Sequence, residues 1–529
     1  MLRLTNIKLP LDYDGSALRS KVLSLLRVPP EHLLSLRLVK QSVDARDKGR
    51  VHFVCTVEAE VKGEQALMKR LKPGVAQLVE KEIPLAVPRR SSPLPPVVVG
   101  LGPCGLFAAL VLARAGLRPL VLERGEKVEH RARKINHLMG QGILDTESNI
   151  LFGEGGAGTF SDGKLTTRIK EPLCQEVLTA FQAHGAPEDI LFLQYPHIGT
   201  DKLPKVVSSI RQEIESLGGQ VLFGARLESL QIQGNALRGI TYQREGQRHQ
   251  AGCGHLLLAI GHSARDTYEM LHQNGVEMEQ KPFSIGFRIE HPQSLVDKAQ
   301  YGAFAGHKNL PRAEYHLSVK TSFGRGAYTF CMCPGGTVVP SASEANRLCT
   351  NGMSAYLRDG ANANSALLCD VRTEDFASDH PLAGIAFQRT WEEAAYTLGG
   401  GGYHAPAQLV GDFLQGVPSK GPGSVLPTYR PGVAWGDAAP ALPSFAVPVL
   451  REAIQVFDRR LKGFALPDAV ITAAETRSSA PLRILRDAQG QSSLQGLFPS
   501  GEGAGYAGGI MSAAVDGIKT AMKLIETIE

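Results

Sequence analysis

Six consecutive residues, Gly100-Leu101-Gly102-Pro103-Cys104-Gly105, and a carboxylate eighteen positions later, Glu123, have the types and spacing to hold a dinucleotide. A pyrophosphate needs backbone N–H donors at close range, and only positions without side chains let the backbone come that near. Gly100 permits the tight turn, Gly102 allows the close approach, and Gly105 lets a helix pack on the preceding strand. Pro103 and Cys104 complete the turn. Glu123 can accept hydrogen bonds from both hydroxyls of an adenosine ribose, with Arg124 following it. Nothing within this stretch says which dinucleotide it serves.

The elements that must position these groups are legible around them. Val97–Val99 is continuously apolar, as a parallel strand buried on both faces should be. A helix over 106–115 presents its N-terminus to the ligand, where free N–H groups and the helix dipole favour phosphate. A second strand is expected over 119–122. A second glycine-rich loop, LFGEGGAGTFSDG, follows a helical segment, and its Gly155, Gly156, Ala157, Gly158 and Thr159 can set successive N–H groups against a phosphate or a ring. The pattern then predicts a helix over 203–217, a strand over 221–227, a meander and the apolar run HLLLAIG. Near the end, GLFPSGEGAGYAGGIMSAAVDG predicts a short strand, a glycine-rich turn and a helix starting at about Ile510.

The stretch from Lys202 to Gly261 resembles the glutathione-reductase-like flavoprotein superfamily, in which a strand ending in an A-T-G-like signature crosses near the cofactor. Ala259, Ile260 and Gly261 stand at that signature, with isoleucine for threonine, and Leu227 is expected against the cofactor. The superfamily closes its flavin site with a Gly-Asp pair before a helix. Gly501 and Glu502 take that place, followed by Gly509 and Ile510. The strings GHSARDT, KPFSIGFRIEHPQ, FCMCPGG, NGMS, ETRSSAPLRI and GEGAGYAGGI resemble, over nearly the whole chain, the bacterial family of uncharacterised FAD-dependent dehydrogenases. The resemblance implies FAD and an oxidoreductase, and the FAD is expected to be non-covalent; if NADH or NADPH reduces it, that donor must bind transiently at the pocket mouth, since no second dinucleotide turn is read.

The implied fold class is α/β. A discontinuous Rossmann-type FAD-binding domain (95–265 and 468–529) holds an inserted mixed-sheet substrate domain (266–467). An N-terminal α+β ferredoxin-like module (1–90, order β-α-β-β-α-β, its last strand over 83–87) precedes it, across the proline-rich linker 84–96.

Pocket candidates for catalysis are Glu475, Arg477, Ser479 and Arg483, just before the closing motif, together with Lys281 and Arg288, the latter near Glu290 and His291. An arginine there could clamp a substrate anion or hold the charge of a reduced flavin, or it could belong to a structural Arg–Glu pair. Cys331 and Cys333 occupy alternate strand positions on one face. Core packing is the expectation and a redox role the alternative; a tetrahedral metal site would need two further ligands that no nearby spacing supplies, so no metal is expected. The glycines of GGGGYHAPAQ follow no apolar strand and are not read as a second dinucleotide turn.

Composition narrows the function classes. The 529 residues are too many for one core. The hydrophobic share of 43%, charged share of 21% and formal charge of +5 are ordinary, with no long Lys/Arg block to mark a nucleic-acid or anionic-lipid surface. No run of eighteen apolar residues and no signal-peptide pattern occurs, and eight cysteines are too sparse for a disulfide framework, so a cytoplasmic protein without a membrane span is expected. The expected partner is a small-molecule substrate, with no nucleic acid. A flavin-dependent RNA modifier is disfavoured, since no basic helical extension follows the closing helix. A lipid or isoprenoid reductase and an FAD-containing binding protein without turnover are the remaining alternatives.

Overall fold

The computed structural model describes residues 1–80 and 85–528. In the N-terminal part, β1 (Leu2–Leu9), α1 (Gly15–Leu26), β2 (Leu33–Asp44), β3 (His52–Val61), α2 (Glu64–Met68) and β4 (Gln77–Leu78) form a four-stranded sheet of order β2-β3-β1-β4. Along β3, Phe53, Cys55, Val57, Ala59 and Val61 alternate into a core with Leu2, Leu4, Val22 and Leu26. The last strand is not where the sequence pattern set it. Gln77–Leu78 closes the sheet by pairing with Leu2 and Arg3; Ile83 and Pro84 lie outside the described residues, and 85–87 are irregular.

The dinucleotide half is a parallel five-stranded sheet of order β23-β11-β5-β6-β7, built from β5 (Val97–Val99), β6 (Leu120–Glu123), β7 (Gln220–Phe223), β11 (Leu256–Leu258) and β23 (Leu497–Pro499). Its central strand β5 is buried on both faces. The expected strand over 221–227 breaks in two at Gly224, whose φ of +62° turns the chain out of the sheet. Beyond it, β8 (Ala225–Gln233), β9 (Ala236–Arg244) and β10 (Gln247–Gly252) make a separate antiparallel meander, and Leu227 belongs to β8.

α3 (Pro103–Arg114) is apolar almost all round, because it lies between the sheet and the C-terminal helix α12 (Ile510–Glu526). The two helices meet where a Cβ on Gly517 would overlap the Cys104 carbonyl. α5 (Leu173–Ala183) and α6 (Leu203–Ser216) complete this layer. The sheet therefore takes its edge strand β23 and one covering helix from residues 497–526.

The remaining elements form a seven-stranded sheet of order β14-β15-β18-β13-β21-β19-β20. Its strands are β13 (Phe283–Pro292), β14 (Ser318–Lys320), β15 (Gly326–Cys333), β18 (Asn362–Val371), β19 (Ala405–Leu409), β20 (Val433–Trp435) and β21 (Val470–Glu475). All neighbours are antiparallel except β19 and β20. The helices α9 (Ala383–Leu398) and α11 (Ala446–Arg460) pack on it in the largest apolar core of the molecule. The short pairs β12 (Met278–Gln280) with β22 (Leu482–Ile484) and β16 (Thr337–Pro340) with β17 (Thr350–Met353) flank it. β21, expected beyond the boundary at 467, is an interior strand of this sheet. Among the described residues no helix is long and apolar enough to cross a membrane.

Candidate functional site

A cleft runs between the two sheets. One wall carries the turn after β5: Gly100, Gly102, Pro103 and Cys104 line it, while Gly105 lies behind, where a Cβ would overlap the Gly100 carbonyl oxygen. Gly100 has φ +96°, and a side chain there would run into the Ala259 carbonyl. Pro103 opens α3, and Gly102 caps it without a side-chain hydrogen bond, so the first N–H groups of the helix face the cleft.

The second glycine loop is pressed against this turn. Gly156, at φ +61°, sits so close that a Cβ on it would lie 2.9 Å from the Gly102 Cα. Gly156, Ala157 and Gly158 line the cleft; Gly155 and Thr159 lie behind them. What holds the loop is Arg131, which sequence reasoning missed. It lies on the inward face of α4 (Val128–Gln141) in register with Val128, Ile135 and Leu138, and it is fully buried. Its guanidinium donates to the carbonyls of Asn149 (2.7 Å), Ile150 (2.5 Å), Gly153 (3.4 Å) and Glu154 (2.7 Å). Burial brings this guanidinium down to about 9, against the opposing pull of Glu123 and Glu154. Glu154, also buried, accepts from the Val128 N–H at 2.9 Å and from Arg211 Nε at 2.7 Å.

Glu123 ends β6 with its carboxylate buried at the cleft. It accepts from the N–H groups of Leu101 (2.8 Å), Gly125 (2.9 Å) and Gly153 (2.9 Å). The residue read as a ribose acceptor thus also ties both glycine loops to the strand end. Two carboxylate oxygens offer about four lone-pair sites, so three N–H donors leave capacity for a ligand hydroxyl. Arg124 lies over the Phe152 ring and pairs with Glu147 and Asp266, both at 3.0 Å.

Ala259, Gly261 and Leu227 line the cleft, as do Gly509 and Ile510, where α12 begins without a side-chain cap. Two helix N-termini therefore open on one cleft. The closing turn departs from expectation in detail. Gly501 does not line the cleft; its N–H donates to Asp516 at 2.7 Å, and Asp516 also accepts from Ser500 and Arg486. Glu502 does line it, and burial pushes its carboxyl up to about 7 against the opposing effects of Lys281 and the Gly509 N–H.

The end of β15 (Phe330, Cys331), strand β17 (Asn351), and the end of β21 with the residues after it (Glu475, Arg477, Ser478) supply the opposite wall. Of the six pocket candidates, Glu475 and Arg477 reach the cleft. Arg477 is not free to clamp an anion: it grips Glu392 at 2.8 Å through two nitrogens and donates to Ser343 and Ser263. Arg265 grips the same Glu392 from α7 (Arg265–Gln273). Although burial pushes the other way, these two arginines hold the Glu392 carboxyl well below the usual range. The cluster fastens the five-stranded half to the seven-stranded sheet and its helix α9.

Arg288 lies behind the wall, bound through two nitrogens to Glu475. Burial raises Glu475 to about 7 against that pairing. Lys281 donates to Ser479 at 2.6 Å, and Arg483 pairs with Glu279 at 2.9 Å over the Tyr506 ring; none of these three lines the cleft. Glu290 accepts from Asn362 and Thr428, and His291 meets the Phe464 carbonyl, so both serve the core of the sheet. His262, left unassigned by the sequence, lines the cleft with burial, Arg477 and Arg265 pushing its imidazole down to about 3, which keeps it neutral.

The residues fit FAD on these observations: glycine-built contacts that any Cβ would fill, two helix N-termini without side-chain caps, and a buried carboxylate with an acceptor site left at a strand end.

Residues 282–478 match the family described as "FAD-dependent protein, C-terminal domain-like", and residues 1–60 match a domain of unknown function, DUF8436. An uncharacterised protein of Clostridium beijerinckii is 45% identical over 532 residues, spanning 100% of this chain and 99% of that one. Among solved structures, FrdA of the E. coli quinol fumarate reductase is similar at 12% identity and a TM-score of 0.37, over 83% of this chain and 70% of that one. The FAD-complexed glycerol-3-phosphate dehydrogenase of Bacillus halodurans is similar at 10% identity and a TM-score of 0.36, over 82% of this chain and 64% of that one.

Proposed function

Because this chain belongs to one family with the Clostridium beijerinckii protein and carries the FAD-dependent C-terminal region, we propose that it is an FAD-dependent oxidoreductase of the glutathione-reductase-like build. It moves hydride between non-covalent FAD and a small molecule. The observation that carries this reading is the convergence of both glycine turns, both helix N-termini and the Glu123 carboxylate on one cleft. When bound, FAD supplies the two-electron chemistry; the protein supplies placement and protons.

The N–H groups at the start of α3 hold the pyrophosphate, and Glu123 accepts from the ribose. Those at the start of α12 open on the same cleft and would hold another part of the bound cofactor. Arg131 keeps the second glycine loop in place. Glu475, gripped by Arg288 on the opposite wall and raised to about 7, can hold or release a proton at Oε1 near neutral pH, as a general acid or base must. Neutral His262 can accept or donate one hydrogen bond at the cleft without adding charge. The electron donor is NADH or NADPH, visiting the cleft mouth transiently. The sparse cysteines support a cytoplasmic location.

Purification and an anaerobic mixing experiment test this. The chain should carry FAD, and one of the two nicotinamides should bleach it. A protein without flavin, or a flavin that no hydride donor reduces, contradicts the reading.

A further inference from the structure

Two thiols, one on the cleft wall and one behind it, take no part in the roles above. Cys331 and Cys333 end β15, where its pairing with β18 slips: Phe330 faces Ala366, yet Cys333 faces Asn364, so β15 accommodates one extra residue. Cys331 absorbs the slip at φ +42°, a left-handed conformation uncommon for a side chain of its kind. Alternate Cα atoms of a regular strand stand about 6.6 Å apart, close to the upper limit of about 6.8 Å for a disulfide. The bulge folds the second residue back on the first, and the Cys333 thiol donates to the Cys331 carbonyl at 3.3 Å.

Both are unbridged; Cys331 lines the cleft and Cys333 is buried behind it. Arg288 serves both. Its Nη1 donates to the Cys331 carbonyl at 2.8 Å. A Cβ placed on Gly352 would meet that nitrogen at 2.7 Å and the Cys333 Sγ at 3.0 Å, so guanidinium and thiol crowd one point. Lys164 lines the same cleft. The neighbouring Cys333 side chain brings the Cys331 thiol below its ordinary range, and Arg288 and Lys164 add to this against burial. A thiol in such cationic surroundings is nucleophilic, and its buried neighbour is placed to resolve it. Among the described residues no group of three or more His, Cys, Asp or Glu is arranged to hold a metal, so a ligand role finds no further donors.

We propose that Cys331 and Cys333 are a redox pair that exchanges two electrons with the FAD of the same cleft, an inference that rests on the proposed function. In the oxidative direction the Cys331 thiolate and the Cys333 thiol become a disulfide while FAD becomes its reduced anion. One Sγ–Sγ bond forms, the Cys333 S–H bond breaks, and its proton and the electron pair pass to the flavin. The reverse step consumes reduced flavin and opens the disulfide.

The test is an anaerobic reductive titration of the holoprotein as purified in air, with thiol alkylation and peptide mass measured before and after. The wild type should take up about four electrons per flavin, two of them stored in the disulfide. The peptide bearing both cysteines should resist alkylation until reduced. Cys331→Ser and Cys333→Ser should each lower the uptake to about two electrons per flavin, and the wild-type titration stands even where a variant folds poorly. An uptake of two electrons in the wild type, with both thiols alkylated from the start, overturns the pair and leaves the flavin reading intact. A chain without flavin, visible before the titration begins, overturns the functional reading and this pairing with it.

Discussion

Arg131 shows how one residue can decide whether a cofactor loop exists. Its four carbonyl partners lie in the turn that leads into Gly155 and Gly156, and no carboxylate hydrogen-bonds to it. Removing it leaves buried carbonyls unpaired at about 1–3 kcal/mol each. Arg131→Met should therefore cost several kcal/mol of stability and strip the flavin. Arg131→Lys should do nearly as badly, because one ammonium cannot span four carbonyls; denaturant melts and flavin absorbance measure both.

Glu502 makes a pH-dependent prediction. Its carboxyl is raised from 4.5 to about 7, so between those values the folded chain binds more proton than the unfolded one, and this residue's contribution to stability falls as pH rises. Glu502→Gln keeps the shape without the buried charge. Melting temperatures of variant and wild type should diverge in the variant's favour from about pH 4.5 to 7 and run parallel above; a gap that narrows across that window would refute the assignment.

At the scale of elements, the strand-turn-helix over 97–114 was legible because every signal agrees: an apolar strand, glycines at turn positions, and proline at the first turn of α3. The breaks came where tertiary context decided. The strand expected over 221–227 is two strands because Gly224 can turn at positive φ, and a run of apolar residues does not show which side of such a turn each belongs to. Val470–Glu475 reads equally well as part of either half, since a strand buried on both faces carries no label for its sheet. The structural Arg–Glu pair left open for Arg477 could not be assigned a partner, because Glu392 is 85 residues away in the chain. The apolar stripe Val128–Ile135–Leu138 did hold a clue, an arginine on its inner face at position 131. The contact of the two glycine turns is the feature most easily probed. Gly156→Ala places a methyl against the Gly102 Cα and a side chain at positive φ, which costs about 1 kcal/mol or more. Equilibrium dialysis should show flavin affinity falling at least tenfold while far-UV circular dichroism stays that of the wild type. An unchanged affinity would move the pyrophosphate away from this junction.

Across the whole molecule, the cleft exists only because distant parts of the chain meet. Its floor needs the turn after β5, the strand end at Glu123 and the start of α12; its far wall needs Cys331, Asn351 and Glu475. The Arg265–Glu392–Arg477 cluster locks the two halves face to face. The central claim is that both ends of the nucleotide half complete one FAD site. The most direct measurement is the flavin released from the purified chain by heat, identified by mass and counted against protein. One FAD per chain is the predicted result. A colourless chain that takes up no added FAD would contradict it.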